Sequence, residues 1–194
     1  MDAPGAIERA LRMVGELLEA RGERFAIVIV GGAAMNLASY VSRATTEVDV
    51  LAMADPAAGE VRVVRTPDAP LPAPLLAAAS AVAKDVGLAE DWLDVRVAEQ
   101  WRQELPPGLP ARVSWQEFGG LEVGVVDRHD LVAFKLYAAA DHRGPSSVHV
   151  QDLLALRPSD AELAAARAWL VRQDVSPELH QVLDRVIAHV RARR

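Results

Sequence analysis

The sequence predicts a mixed α/β fold, with a small sheet flanked by helices and a helical part at the C-terminal end. An unbroken, mostly β-branched run at residues 25–30 is typical of a strand buried on both faces, and it stops at two glycines. Apolar residues recur at helical spacing before that run and through the last third of the chain. With 51% apolar residues among 194, the chain can bury a core without disulfides or a structural metal. We expect an α/β core over residues 1–127 and a helical part over residues 128–194 that packs on it.

The first two thirds of the chain alternate helices with strands. An amphipathic helix over residues 6–20 comes first, because Ile7, Leu11 and Leu18 fall on one face of a helix. Glycines and prolines separate the elements that follow. These are a strand at 25–30, a short helix at 33–40, a strand at 47–53, an edge strand at 60–65, a helix at 75–86, a helix capped by Asp91 that runs from Trp92 to Trp101, and strands at 112–118 and 121–126 joined by Gly119 and Gly120.

The remaining residues are predicted to be helical, beginning with a helix that Asp127 opens. Ser159 and Glu162 have the spacing of a capping box, and Ser176 precedes a proline at a first helical position. Between them, a helix lies after a loop at 141–147 and ends before Pro158. Apolar residues in the last helix follow helical spacing, which predicts a buried stripe: Leu179, Val182, Leu183, Val186, Ile187 and Val190.

Composition excludes several functional classes. The chain carries 21 basic and 27 acidic residues, a net charge of −6, so a general affinity for nucleic acid is not expected. It has no cysteine, which excludes thiol nucleophiles and cysteine-bound zinc, and its five histidines lack metal-ligand spacing. No stretch reaches the length of about 20 apolar residues that a membrane span needs. We therefore expect a soluble, cytoplasmic protein with no membrane partner.

Two carboxylates stand one residue apart on a predicted strand. Because side chains on a strand alternate, Glu47 and Asp49 are expected to share one face while Val48 points the other way. A divalent cation would remove the repulsion between the two acids, and Mg²⁺ in particular is held by one or two carboxylates together with substrate phosphates. Taken alone, the pair is equally compatible with two solvated acids on a half-exposed strand.

Gly31 and Gly32 separate the buried strand from the following helix. Without side chains there, backbone amides can approach a phosphate closely. The pattern is neither a dinucleotide-binding glycine motif nor a P-loop, and an ordinary tight turn is the structural alternative. The combination of the glycine pair with the downstream carboxylates is more informative than either feature alone.

The segments VIVGGAAM at 28–35 and SRATTEVDVL at 42–51 together resemble the nucleotidyltransferase superfamily. The Ser-Arg-x-Thr approach to the acidic pair, Trp92-Leu93, and the stretch from Asp130 to Ala138 are similar to DUF6036 proteins and, more distantly, to the AbiEii toxin group. The resemblance implies a nucleotidyltransferase-like mixed sheet. It also implies transfer of a nucleoside monophosphate from an NTP to a tRNA or protein acceptor, in a toxin–antitoxin or phage-defence system with a cognate partner.

By this resemblance, Glu47 and Asp49 are catalytic metal ligands for Mg²⁺ or Mn²⁺, and Gly31 and Gly32 cradle the triphosphate. Arg43 is a candidate phosphate contact, with a structural ion pair to one of the acids as the alternative. Superfamily members more often carry aspartate at the position of Glu47. A third metal-binding carboxylate, common in the superfamily, is not identifiable from the sequence.

Lys135 is one of only two lysines in the chain and lies on a mostly apolar helix. A compact ammonium there is suited to a phosphate, although a lysine that snorkels from the core edge is the alternative. The resemblance implies that Lys135 and Asp152 join the catalytic site. Around Asp152, however, the family's Lys-Asp-x-x-Asp-Leu is reduced to its last two residues, and a residue favoured by the helix dipole is the alternative.

Two further hypotheses stand beside the enzyme. The first is a degenerate nucleotidyltransferase fold that binds nucleotide or a partner protein without turnover; the glutamate at position 47 and the incomplete motif before Asp152 favour it. The second is an α/β domain of unrelated function, in which both motifs are coincidental.

Overall fold

A computed structural model describes residues 5–56, 64–66, 70–101, 104–141 and 147–194. The chain forms two compact units, Met1–Val126 and Asp127–Arg194. The first is a mixed α/β unit and the second is helical, which confirms the predicted fold class. In the described ranges, no helix has both the length and the apolar character that crossing a membrane requires.

The described residues form the following elements, in chain order: α1 (Ala6–Ala20), β1 (Phe25–Val30), α2 (Gly31–Leu37), β2 (Val48–Ala54), β3 (Val64–Arg65), α3 (Ala73–Val86), β4 (Leu93–Asp94), α4 (Arg96–Gln100), α5 (Leu109–Arg112), β5 (Ser114–Phe118), β6 (Leu121–Val125), α6 (Arg128–Asp141), α7 (Val148–Leu156), α8 (Asp160–Gln173) and α9 (Pro177–Arg191).

The sheet of the first unit has the strand order β3-β2-β1-β6-β5, and β4 pairs separately with β2. β1 is antiparallel to β2 and parallel to β6, while β5 and β6 form an antiparallel hairpin. Residues 26–30 of β1 are all buried, as the β-branched run predicts. The hairpin turn at Gly119 and Gly120 is also confirmed.

Helix α1 lies against the end of this hairpin at unusually short range. The backbone amide of Gly120 donates a hydrogen bond to the carbonyl of Gly15 at 2.9 Å. A side-chain carbon at position 15 would lie 1.4 Å from the carbonyl oxygen of Phe118, so only glycine fits at this crossing. The guanidinium of Arg12, one turn earlier, lies over the Phe118 ring at 5.3 Å from its centroid.

The predicted helix from Trp92 to Trp101 is wrong. Its first residues instead lead into β4, which runs parallel to β2, and only Arg96–Gln100 is helical. The amide of Val48 donates to the carbonyl of Trp92 at 2.6 Å, and the buried Trp92 indole donates to the carbonyl of Ala79 at 3.0 Å. These nonlocal bonds hold the segment extended and override its helical spacing.

Other boundaries differ by a few residues. The helix predicted from residue 33 begins at Gly31, and the strand predicted from residue 47 begins at Val48. The helix predicted from residue 75 begins at Ala73, with Pro74 in its first turn. The strand predicted from residue 112 begins at Ser114, because α5 occupies Leu109–Arg112. Of the strand predicted at 60–65, residues 60–63 lie outside the described residues and the last two form β3.

The second unit contains α6 to α9 and confirms the predicted helix starts. The Asp127 side chain accepts from the amide of Asp130 at 3.1 Å, and Ser159 and Glu162 form a complete capping box. Ser176 caps α9 ahead of its proline. In the last helix, four residues of the predicted stripe are fully buried and two are partly buried; the buried ones are Leu183, Val186, Ile187 and Val190.

Candidate functional site

The closest contact of the candidate site joins Gly31 and Asp49. Val30 at the end of β1 is the register partner of Asp49 in β2, so the residue after the strand meets the carboxylate directly. Gly31 has φ of +73°, and a side-chain carbon built there would lie 1.9 Å from Asp49 Oδ2. Both the backbone angle and the space therefore require glycine at this position.

Gly32 lies beside the loop that leads into β2. A side-chain carbon at position 32 would meet Thr45 Oγ1 at 3.1 Å and Arg43 Nη2 at 3.2 Å. A hydroxyl and a guanidinium therefore lie against the backbone of Gly32. The structure brings Gly31, Gly32, Arg43 and Asp49 together at one end of the β1–β2 pair, as the sequence predicts.

Asn36 on α2 fixes the position of Arg43. Its Nδ2 donates to the carbonyl of Arg43 at 2.9 Å, and the Arg43 amide donates to Asn36 Oδ1 at 3.2 Å. This two-point contact ties the loop to α2, the helix that begins with the glycine pair. Arg43 also lines a small pocket of about 40 Å³ whose other walls include Asn36, Thr45 and the first turn of α1.

Glu47 lies just outside the strand that was predicted to begin with it. It precedes β2 by one residue, and its side chain is 59% exposed, whereas Asp49 within the strand is partly buried. Arg96 Nη2 lies 3.9 Å from Glu47 Oε1. Position 47 therefore offers a solvated carboxylate at the rim of the site, while position 49 offers an anchored one.

Asp94 is the acidic residue that the sequence analysis missed. It is the register partner of Asp49 in the parallel β2–β4 pair, so the two residues sit side by side on neighbouring strands, about 4.8 Å apart. Its side chain is 12% exposed. A strand of two residues has no periodicity to detect, so the sequence gives no local signal that would assign Asp94 to the site.

Arg96 occupies both oxygens of Asp94. Its backbone amide donates to Oδ1 at 2.9 Å, and its guanidinium donates to Oδ2 at 3.0 Å from Nε and 2.5 Å from Nη2. The hydrogen bonds and charge of Asp94 raise the pKa of Arg96 above its ordinary value, with smaller contributions from Glu47. Arg96 therefore stays cationic at any physiological pH.

The donor set suits a hard divalent cation. Mg²⁺ prefers carboxylate oxygens and usually takes only one or two from the protein, with phosphates and water completing its shell. Asp49 and Asp94 are adjacent and Glu47 is nearby, although no ready-made cluster of three or more acidic or histidine residues is found within the described ranges. The residues therefore fit a cation that arrives with a phosphate ligand.

Lys135 and Asp152 form a buried ion pair within the second unit. Lys135 Nζ lies 2.6 Å from Asp152 Oδ2, and the side chains are 5% and 2% exposed. The pair joins α6 to α7. Asp130 on α6 is also fully buried. The structure thus brings the two residues implied by the resemblance into contact with each other.

The site of the first unit combines a glycine pair, a fixed arginine and adjacent carboxylates at one end of the sheet. The sequence points to five of its residues: Gly31, Gly32, Arg43, Glu47 and Asp49. Asp94 and Arg96 join them only in the structure. Compared with protein-family models, curated proteins and solved structures, the chain has no match in any of the three comparisons.

Proposed function

We propose that this protein is an Mg²⁺- or Mn²⁺-dependent nucleotidyltransferase that moves a nucleoside monophosphate from an NTP to a tRNA or protein acceptor. The observation that carries the proposal is the contact between Gly31 and Asp49. A glycine with a positive φ sits directly against a partly buried carboxylate. The proximity of backbone without a side chain to a carboxylate oxygen supports a site in which both meet one triphosphate and its cation.

The residues have separable roles in this proposal. Gly31 and Gly32 admit the phosphates close to the backbone, and Arg43, whose backbone is held by Asn36, contributes its guanidinium charge. Asp49 and Asp94 supply the anchored oxygens for the cation, and Glu47 supplies a mobile one. When bound, the cation neutralises phosphate charge and favours in-line attack by the acceptor.

The proposal extends to the setting implied by the resemblance. A toxin–antitoxin or phage-defence role would give the protein a cognate partner and a cytoplasmic location. The proposal keeps the catalytic role that the resemblance implies for Lys135 and Asp152. Their burial as a pair supports a structural role for them equally well.

A second candidate is a degenerate nucleotidyltransferase fold that binds nucleotide or a partner protein without turnover. One observation favours it: Arg96 already neutralises Asp94 and lies near Glu47. An internal cation of this kind lets a fold keep its carboxylates without a metal. The first candidate requires nucleotide binding and turnover, whereas the second excludes turnover and binds either nucleotide or a partner protein.

Calorimetric titration with each of the four NTPs in the presence of Mg²⁺ tests the proposal. Binding is expected in the wild type, should need Mg²⁺, and should be lost in Asp49→Asn. The matched control is Asp55→Asn at the far end of β2, where Asp55 makes an exposed ion pair with Arg65 at 3.0 Å. Absence of binding by the wild type at millimolar NTP would contradict the enzyme and would leave the degenerate candidate only as a binder of a partner protein.

Turnover is then tested with α-labelled NTP and a mixture of tRNA and protein acceptors. Label transfer by the wild type and not by Asp49→Asn supports the enzyme. Mg²⁺-dependent binding without label transfer or pyrophosphate release supports the degenerate candidate.

A further inference from the structure

The backbone of Arg96 is part of a helix, whereas its guanidinium is exposed to solvent. Its backbone begins α4, directly after the strand that carries Asp94. Its side chain is nevertheless 67% exposed, and its partners are the carboxylates of Asp94 and Glu47. A long, solvent-exposed side chain of this kind can leave its ion pair by rotation about its own bonds, without disturbing the sheet.

The guanidinium and a metal ion compete for the same oxygen. Mg²⁺ binds carboxylate oxygen at about 2.0–2.1 Å. Asp94 Oδ2 already accepts two hydrogen bonds from the guanidinium, and Oδ1 accepts the Arg96 amide. Two cations on one oxygen repel each other strongly at these distances. A metal that uses Oδ2 must therefore drive the guanidinium away.

A polyphosphate changes this balance. A guanidinium binds phosphate oxygens in the same two-point geometry that it uses with carboxylates. An NTP that enters beside Gly31 and Asp49 carries several negative charges, and Asp49 is the cross-strand neighbour of Asp94. The released Arg96 would therefore have a new anionic partner next to its old one.

We propose that Arg96 is a built-in counter-cation that competes with the divalent metal for Asp94 and Glu47, so that the metal is accepted well only together with a polyphosphate that takes over the guanidinium. This inference rests on the proposed nucleotide site and adds its order of assembly. It predicts weak metal binding in the absence of nucleotide and a strong mutual dependence of the two ligands.

The test is Mn²⁺ binding without nucleotide, measured by the electron paramagnetic resonance signal of free Mn²⁺. Arg96→Gln is expected to tighten Mn²⁺ binding by about thirtyfold, the order expected when one unit charge about 4 Å from a doubly charged ion is removed in a water-like dielectric. Arg65→Gln is the matched control, because Arg65 is equally exposed at 64% and is paired with an aspartate on the same unit. It should leave Mn²⁺ affinity unchanged.

Arg96→Lys provides the second variant, since it keeps the positive charge. Its Mn²⁺ affinity should stay near that of the wild type, and thermal unfolding should confirm that all three variants are folded. An affinity of Arg96→Gln equal to or weaker than the wild type would overturn the proposal, as would an equal gain in Arg96→Lys.

The mutual dependence is measured by repeating the titration with a non-hydrolysable NTP. The nucleotide should strengthen Mn²⁺ binding more in the wild type than in Arg96→Gln. An equal gain in both would contradict the proposal that the nucleotide takes over the guanidinium of Arg96. Failure of the proposed function looks different. In that case the wild type binds no Mg²⁺–NTP at all, whereas failure of this inference leaves that binding intact and insensitive to Arg96.

Discussion

The backbone of Gly31 lies against the carboxylate of Asp49 so closely that a side-chain carbon at position 31 would come within 1.9 Å of Oδ2. The relationship makes the two positions interdependent. A side chain at position 31 would displace the carboxylate of Asp49, because the carboxylate occupies the space that this side chain would need.

Gly31→Ala is therefore expected to abolish Mg²⁺-dependent NTP binding as well as to destabilise the fold. The positive φ alone should cost about 1–2 kcal/mol for a residue other than glycine. Displacement of Asp49 adds to that cost and removes the metal-binding oxygen. Calorimetry and chemical unfolding measure the two effects separately.

Gly22→Ala is the matched control, because Gly22 has a similar φ of +71° and a side-chain carbon there would meet nothing within 4 Å. It should show the backbone cost and keep NTP binding. Equal loss of NTP binding in both variants would show that the contact with Asp49 has no special role.

A second prediction concerns the crossing of α1 and the β5–β6 hairpin. Gly15→Ala places a carbon 1.4 Å from the Phe118 carbonyl oxygen, so α1 must shift away from the sheet. Overpacking of this kind typically costs about 1–3 kcal/mol, and a backbone obstacle favours the upper end. Urea unfolding measures it. Glu16→Ala, at the exposed neighbouring position, should change the free energy of unfolding little; comparable losses in both variants would refute the close crossing.

The buried pair of the second unit gives a third prediction. Lys135→Met leaves Asp152 buried without its ammonium and should reduce the free energy of unfolding by about 3–5 kcal/mol. The double variant Lys135→Met/Asp152→Leu should recover most of that loss, because neither member of the pair is left buried without the other. The two variants are compared by urea unfolding.

The same double variant separates structure from chemistry. If it is stable and still transfers label from NTP, the pair is structural. If it is stable and binds NTP but transfers nothing, the catalytic role implied for Lys135 is supported.

A fourth prediction concerns acid. The side-chain hydrogen bond from Arg167 lowers the pKa of Asp184 below its ordinary value of 3.8, and bonds from Arg194 and Arg191 do the same for Asp160. A carboxyl whose folded pKa is lowered stabilises the fold above its unfolded pKa and loses that contribution as the pH falls through the folded pKa. The free energy of unfolding should therefore decrease as the pH is lowered below about 4.

Because both carboxylates are exposed, the effect of each is small after solvent screening. Urea midpoints measured across this acid range test it, with Asp184→Asn as the comparison. The variant should be less stable than the wild type at neutral pH and should approach it at low pH. A constant difference at every pH would contradict the linkage.

The sequence predicted elements that carry a strong local signal. The apolar spacing of 6–20 and the β-branched run of 25–30 determine helix and strand with little help from the rest of the chain, and Ser159 and Glu162 mark a helix start directly. The resemblance assigns Gly31 and Asp49 to one site, but their direct approach is visible only in the register of β1 and β2.

The parts that were missed depend on partners distant in the chain. Leu93–Asp94 is a strand only because β2 lies beside it, so the spacing of Trp92 and Trp101 was misleading. The need for glycine at position 15 arises from the Phe118 carbonyl and has no signature in the helix itself. Arg96 has no sequence signal for the same reason, since its role depends on the positions of the Asp94 and Glu47 carboxylates beside it.

The central position of β1 has a consequence for the order in which the molecule folds. Its pairing with β2 closes only a short loop, whereas Phe25 must wait for Leu121 before the parallel pair with β6 can form. Short closures cost less chain entropy and are reached sooner. The contact between Gly31 and Asp49 therefore belongs to the segment that can assemble first. The β5–β6 hairpin then pairs with a β1–β2 unit that is already formed.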